Sequence, residues 1–328
     1  MKTCLSYREP LFATYHYLAS HGVVAQENPT GIRWFFNHAV GLSCSGAFQK
    51  GYSSPKLSVF PYGVLADGNL DTYIVNICFS PEDSLKIIKR MIDAGYYVLF
   101  DHVDDYYLDG KSFFGERHFY HDGLILGYDE GSDTFVLAAY DIGWNYGVWE
   151  TPMPSFLKGV LSAASEGEHP RLVAARSKPD PVALDLPRIA DAFRTYLGAE
   201  PFSEENQEMI SGISVHDALI RYLELLDAGE IPHEKMDWRV MRLLWEQKKC
   251  VLGCLEDIEK TLLQETTLSC AYRSITEMSN LLRIQYALYH RKQQKNLVPV
   301  MSEKLKKIKE NEAILLPKLT EKMKERGY

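Results

Sequence analysis

Apolar residues follow two different patterns along this chain, and the change between them falls near residue 180. Before it, three short apolar runs rich in β-branched and aromatic residues predict buried strands, namely "YYVLFDHVD", "DGLILGYD" and "DTFVLAAYD". The last two runs are separated by "EGSD", which is typical of a hairpin turn. After it, apolar positions recur with helical periodicity in several long segments, which predicts a bundle of about four or five helices.

Helices are also predicted among the strands of the first part. One is expected in "PLFATYHYLASHG", with Pro10 in its first turn and Gly22 at its C-terminal end. Another is expected in "SPEDSLKIIKRMIDAG", starting at Ser80 and Pro81 and closed by Gly95, after a strand in "DTYIVNICFS". Helices that precede an antiparallel sheet indicate an α+β fold and not a βαβ repeat.

A segment interrupted by prolines, "ARSKPDPVALDLP", separates the two patterns and reads as a linker. At 328 residues the chain is long enough for two domains. We therefore predict one domain over residues 1–178, which holds the sheet, and an all-α domain over residues 186–328. The apolar faces of the C-terminal helices would also suit a homodimer.

Composition removes several classes of partner. The formal net charge is −8, and because a basic face is the usual signature of nucleic-acid binding, no nucleic acid is expected. The apolar runs are too short for a membrane span and the chain does not begin like a secretion signal, so we expect a cytoplasmic protein without membrane contact. Since there is no glycine-rich phosphate loop and no dinucleotide fingerprint, no cofactor is expected.

The six cysteines are predicted to be free thiols and not a disulfide framework, given the expected cytoplasmic location. Cys250 and Cys254 stand four residues apart in a helical segment, a spacing that could contribute to a metal site. No histidine or cysteine partners are evident for them in the sequence. We therefore interpret them as buried helical thiols and predict no metal site.

Two histidines, His118 and His121, stand at the start of a predicted strand in "HFYHDGLILGYD". Asp141 ends the next strand, and residues so placed on an antiparallel pair can lie side by side. A carboxylate there can fix the tautomer of an imidazole, which is the His–Asp part of a Cys–His–Asp site. We prefer His121 with Asp141, with His118 and Asp129 as alternatives; the histidines could instead only satisfy backbone groups at the strand end.

The residues around these histidines, "AGYYVLFDHVDDYYLDG…RHFYHDGLILGYDEGSDTFVLAAYD", resemble the papain-like module of the butirosin-biosynthesis protein H family, which is related to bacteriocin-processing cysteine peptidases. The later segment "ISGISVHDALIRYLE…DWRVMRLLWEQKK" is similar to the helical region that accompanies this module in proteins linked to nonribosomal peptide and polyketide clusters. The resemblance implies a papain-like cysteine-protease fold, a helix plus antiparallel sheet, followed by the helical domain.

The same resemblance implies an acyltransferase in antibiotic or other natural-product biosynthesis. A cysteine would take an acyl group from the phosphopantetheine thioester of an acyl or peptidyl carrier protein and pass it to an amine. The family's base corresponds to His121 and its orienting acid to Asp141. Two alternatives stay open: a catalytically silent relative that binds a carrier-linked intermediate or a partner protein, and a cysteine peptidase.

The nucleophile departs from the family pattern. In that family a cysteine opens the first helix, where the helix N-terminus lowers the pKa of a thiol. Here the corresponding position, twelve residues before Gly22, is Pro10, and the nearest cysteine is Cys4. We therefore expect Cys4 to be the nucleophile, with Cys44 in "GLSCSGAF" as another candidate and loss of the reaction as a third outcome.

Substrate-binding residues are expected beside the histidines. Tyr106 and Tyr107, in the acidic segment "DHVDDYYLDG", would line a groove, and His118 and Trp144 would complete its wall. The acids of this segment could bind a cation through oxygen atoms. They lack the spacing of a calcium loop, so we interpret the segment as a polar exit from a strand.

Overall fold

The computed structural model describes residues 2–51, 53–59, 68–75, 81–167, 170–203 and 208–328. Its strands are β1 Lys2–Cys4, β2 Ser43–Ser45, β3 Leu57–Ser58, β4 Leu70–Val75, β5 Tyr97–Asp104, β6 Tyr120–Asp129, β7 Thr134–Tyr140, β8 Tyr146–Pro152, β9 Arg171–Ser177 and β10 Met209–Ser211. Its helices are α1 His16–Ala25, α2 Arg33–His38, α3 Pro81–Asp93, α4 Met153–Ser165, α5 Leu186–Leu197, α6 Val215–Ala228, α7 Arg239–Ile258, α8 Thr267–Lys292 and α9 Leu297–Glu325. The fold is α+β, as predicted. Ser80 and Cys78 lie outside the described residues.

The chain divides into two compact units. Unit 1 comprises Met1–Ile32 and Gly68–Val182, and unit 2 comprises Arg33–Asp67 and Ala183–Tyr328. The final boundary between the units, between Val182 and Ala183, falls inside the predicted linker. Residues 33–67, which the sequence pattern placed with the sheet, group instead with the helices, because the aromatic side chains of α2 are buried there and α2 packs on α7.

Unit 1 is built on one antiparallel sheet in the order β4-β9-β5-β6-β7-β8, with β1 also paired with β6. The hairpin between β6 and β7 was predicted from the turn signal and is confirmed, with Asp129 opposite Thr134. On the other side of β6, Val103 of β5 lies opposite His121, and a bulge between Phe100 and Val103 interrupts this ladder. The start of β6 therefore lies beside the end of β5.

Both faces of the central strands β5, β6 and β7 are largely buried, as continuous apolar strands predict. Leu124 and Leu126 of β6 join a core with Val23 and Val24 of α1, whereas Ile125 joins a second core. That second core is completed by apolar residues of α3 and α4, for example Ile88, Phe156 and Val160. Burying a large apolar side chain contributes about 1.5–3 kcal/mol, so this alternation fixes which face each residue of β6 presents.

The first helix differs from its prediction. It begins at His16, six residues after Pro10, and it continues through Gly22 to Ala25. Tyr15 before it has extended backbone, with φ −122° and ψ 136°. The hydroxyl of Tyr140 donates a hydrogen bond to the carbonyl of Ala13, so this carbonyl has a tertiary partner in place of a helical one.

Unit 2 contains the five predicted C-terminal helices, α5 to α9, together with α2 and a small antiparallel sheet in the order β10-β2-β3. Helix α6 ends at Gly229, which adopts a left-handed conformation with φ 76°. Cys250 and Cys254 are buried in α7 as free thiols, as predicted. None of the helices in the described part of the chain is both long and apolar enough to cross a membrane.

A polar cluster lies inside the helices of unit 2. Glu312 of α9 is fully buried and lies 2.8 Å from Nζ of Lys248 of α7, which is also fully buried. The hydroxyls of Tyr196 and Tyr272 donate hydrogen bonds to the same carboxylate. His216 of α6 places Nε2 3.5 Å from Oε2 of Glu312, and burial lowers the pKa of this histidine to about 4. We call these five residues the unit 2 cluster.

Candidate functional site

The candidate site is at the edge of unit 1 where β5 ends and β6 begins. His121 directs Nδ1 at Oδ2 of Asp105, which follows β5 in a short 3₁₀ turn. Because a carboxylate only accepts hydrogen bonds, Nδ1 carries the proton and Nε2 is left as the basic nitrogen of the neutral ring. His121 is thus held in the tautomer that a general base requires.

Asp105 is buried, and it has a second charged neighbour. Its side chain is 1% exposed, as is that of Lys111 in the loop before β6. Nζ of Lys111 lies 3.6 Å from Oδ1 of Asp105, which makes an ion pair that is too long for a hydrogen bond. Burial lowers the pKa of Lys111, and the carboxylate of Asp105 opposes that shift. We call His121, Asp105 and Lys111 the site triad.

The ring of His121 lies among other rings. The imidazole of His16, at the start of α1, stacks on it with centroids 5.2 Å apart, and Nδ1 of His16 donates to the carbonyl of Asp122. The rings of Phe119 and Trp144 approach it to 4.4 and 5.9 Å, respectively. Both of these aromatic residues are exposed, so they form an apolar rim beside a histidine that is 16% exposed.

A second His–Asp pair lies close by. Nδ1 of His118 is 2.6 Å from Oδ2 of Asp104, the last residue of β5. Asp104 is fully buried and also accepts hydrogen bonds from the hydroxyl of Ser162 in α4 and from two backbone amides. These bonds lower the pKa of Asp104, although burial alone would raise it. His118 itself is half exposed and anchored at the surface.

The predicted orienting acid is corrected. Asp141 lies in the turn after β7, and its Oδ1 accepts hydrogen bonds from the backbone amides of Gly143 and Asn145, each at 2.8 Å. Asp129, the alternative, caps the β6–β7 turn in the same way through the amide of Gly131. Short acidic side chains at strand ends often accept a hydrogen bond from the backbone amide two residues on. Asp141 and Asp129 both make this local bond instead of orienting a histidine.

The predicted nucleophile is also not beside the histidine. Cys4 pairs with Gly127 on β6, six residues from His121, so the two lie about 20 Å apart along the strand. Partial burial raises the pKa of the Cys4 thiol, and Lys2 only partly offsets this. The predicted triad of Cys4, His121 and Asp141 is therefore not assembled in unit 1.

Neither of the other two positions considered for the nucleophile provides an activated thiol. Cys44 lies in β2 of unit 2, where complete burial raises its pKa to about 12. An activated thiol requires the opposite shift. Pro10, in the expected nucleophile position, is buried in the segment before α1.

The predicted substrate-binding residues divide between the two histidines. Trp144 lies beside His121, with its ring edge-on to the imidazole, and its backbone has a left-handed conformation with φ 59°. Tyr106 stacks on His118 with centroids 4.6 Å apart, and Tyr107 lies 6.3 Å from the same ring. These two tyrosines support the second His–Asp pair and do not contact His121.

The acidic segment binds its own neighbours. Asp101 pairs with Arg171, Asp109 accepts a hydrogen bond from Thr151, and Asp122 accepts one from the amide of His102 in the bulge of β5. Among the described residues, no group of three or more His, Cys, Asp or Glu side chains is arranged to hold a metal ion. The polar-exit interpretation of this segment agrees with that arrangement.

Sequence reasoning missed the roles of Asp105, Lys111, Ser162 and His16. A signal existed for Asp105: in an antiparallel sheet the strand before β6 is as close to His121 as the strand after it, and the acids ending "DHVDD" were available. For Lys111 the sequence gives no such signal, because its loop also contains Arg117 and nothing distinguishes it from a surface lysine. Nothing in the local pattern points to Ser162 or His16, since both come from helices that pack on the sheet.

Comparison with known proteins adds no family to this picture. No protein-family model matches the chain, and no curated protein matches its sequence significantly.

Proposed function

We propose that unit 1 catalyses direct transfer of an acyl group from a thioester to an amine, with His121 as the general base and no enzyme thiol in the reaction. The observation that carries the proposal is the bond between His121 Nδ1 and the buried carboxylate of Asp105, beside an exposed aromatic rim. This pairing leaves Nε2 as the nitrogen of His121 that can accept a proton from a substrate.

The proposed step balances without a covalent enzyme intermediate. The amine nitrogen attacks the thioester carbonyl, a C–N bond forms and the C–S bond breaks. Nε2 of His121 takes the proton that the amine loses and returns it to the departing thiolate, so the products are an amide and a free thiol. Asp105 stabilises the imidazolium that exists between these two proton transfers.

The resemblance supplies the substrate class within this proposal. Its donor would be an acyl group on a carrier protein, in the biosynthesis of a natural product in the cytoplasm. A papain-like fold is kept as part of the proposal, supported by helix α1 packed on an antiparallel sheet with a histidine at the start of β6.

The proposal is tested with a simple acyl thioester and a set of primary amines, with amide formation followed by mass spectrometry. We expect His121→Ala to reduce turnover by about 100-fold or more, the usual contribution of a general base. Cys4→Ala is the matched control and should retain turnover, with no acyl adduct on the intact protein. Full turnover by the His121→Ala variant would reject the proposal, and a stoichiometric adduct on Cys4 would restore the thiol mechanism.

Two alternative functions compete with this proposal. The absence of a thiol beside His121 in the described residues also favours a silent relative that only binds a thioester-linked intermediate. Binding of the thioester without turnover by the unmodified protein would support that rival. Hydrolysis needs only water in place of the amine, so release of free acid at the same rate with and without amine would instead indicate a hydrolase.

A further inference from the structure

Lys111 is the least expected member of the site triad. Lysine is rarely buried without a specific partner, and this one is 1% exposed in a loop that is otherwise largely open to solvent. Its ammonium group lies in the protein interior beside Asp105, and Nζ is also 5.9 Å from the ring centroid of Trp149. A surface lysine could have served the loop equally well, so the burial itself calls for an explanation.

The two carboxylate oxygens of Asp105 face different residues. Oδ2 meets Nδ1 of His121, and Oδ1 faces Nζ of Lys111 at 3.6 Å. Among the described residues, Oδ1 has no hydrogen-bond partner, and neither has Nζ of Lys111. The orientation of this buried carboxylate is therefore governed on one side by the imidazole and on the other by an electrostatic attraction that is strong at low dielectric.

We propose that Lys111 is a positioning residue of the site: its buried ammonium group holds the carboxylate of Asp105 turned so that Oδ2 stays on Nδ1 of His121. Without it, a carboxylate that has been removed from water would lose its lysine counter-charge and the constraint on its rotation. The role of Lys111 in turnover rests on the proposed function of His121, whereas its role in orienting the ring does not.

The test reads the His121 ring directly. A ring N–H that donates to a carboxylate exchanges slowly and gives a resolved downfield proton signal, and such a signal is expected for both His121 and His118. Loss of one signal in His121→Gln assigns it. In Lys111→Met and Lys111→Gln we expect the His121 signal to disappear or move, while the His118 signal, which depends on Asp104, stays in place as an internal reference.

Conservative and matched variants separate positioning from packing. Lys111→Arg keeps the charge and should keep the His121 signal, and Lys89→Met removes a lysine of the same unit that lies instead beside Tyr128 and should change nothing. If Lys111→Met does not fold, Lys111→Gln, which retains an N–H donor toward Asp105, carries the test. In the thioester assay, the neutral variants should lose about tenfold in kcat with KM within twofold.

An unchanged His121 signal in folded Lys111→Gln, or equal loss of the signal in Lys111→Arg, would overturn the positioning role. Because the signal is measured without substrate, this outcome is distinguishable from failure of the proposed function. A shifted signal together with no turnover in any variant would keep Lys111 as the positioning residue and reject only the reaction.

Discussion

Each of the two units brings together a lysine, a carboxylate and a histidine, but in different ways. In unit 1, the site triad joins a lysine, a carboxylate and a histidine at the end of a strand, and one edge of the histidine reaches solvent. In unit 2, Lys248, Glu312 and His216 meet between helices, and all three are fully buried. The composition of the two groups is almost the same, so composition alone does not indicate chemistry.

The two groups differ in which side chain the carboxylate contacts most closely and in whether solvent or a substrate can reach the histidine. Glu312 is bonded to Lys248 and to two tyrosines, and His216 stands 3.5 Å away with its pKa lowered by burial. That histidine stays neutral and has no route to a substrate. In unit 1, Asp105 meets His121 most closely, and aromatic residues leave the ring accessible. Because every member of the unit 2 cluster is buried, we interpret that cluster as structural. The site triad is the candidate for catalysis, because one edge of its histidine is exposed.

The largest expected effect concerns the unit 2 cluster. Glu312→Ala leaves Lys248 buried without its counter-charge, and we expect a loss of about 4 kcal/mol in the free energy of unfolding. Denaturant titration followed by circular dichroism measures it. Glu303→Ala is the control on the same helix, because its ion pair with Lys307 is exposed and should contribute nothing measurable. Equal stability of the two variants would mean that the cluster is not needed for folding.

A somewhat smaller effect is expected from pH. The pKa of His216 is about 4 in the folded protein against 6.5 for the free side chain. Between these values the unfolded chain binds a proton that the folded protein does not, so stability falls as pH decreases from about 6.5 to about 4. The contribution is on the order of 3 kcal/mol, and it is fully present above pH 6.5.

The variant His216→Asn isolates this contribution. Its amide can still donate to the carbonyl of Ile213, which Nδ1 of His216 contacts at 2.9 Å, but it does not titrate. Stability curves at several pH values between 4 and 7 should therefore be flatter for the variant than for the unmodified protein. Parallel curves would show that His216 is not the group responsible.

The smallest of these effects tests the site triad. Asp105→Asn should reduce turnover by about 100-fold, equivalent to about 2.7 kcal/mol, because an amide can no longer stabilise the imidazolium of His121. Asp141→Asn is the matched control, since that acid only caps a turn. A greater loss from Asp141→Asn than from Asp105→Asn in the thioester assay would return the orienting role to the acid first predicted from the sequence.

Local patterns were sufficient for the strands β4 to β7 and for the helices α3 and α5 to α9, whereas β1 to β3, β8 to β10, α2 and α4 were not predicted. The run "DGLILG" predicts a strand buried on both faces, and the long periodic segments after residue 185 predict the helices α5 to α9, because periodicity depends only on neighbours in the chain. The same reasoning placed His121 at the start of a strand, where the structure has it. It failed for α1, which begins only at His16 and before which the carbonyl of Ala13 accepts a tertiary hydrogen bond from Tyr140.

The amino-acid sequence by itself determined where the strands β5 to β7 and the helices α5 to α9 form, and which histidines stand at a strand end. Only the tertiary structure decided that Asp105, and not Asp141, meets His121, since both acids are one strand away and an acid after a strand can equally well cap its own turn. It likewise decided which lysines are buried. Lys111 and Lys248 look like any other lysines in the sequence, and their partners are specified by packing between segments that no local pattern relates.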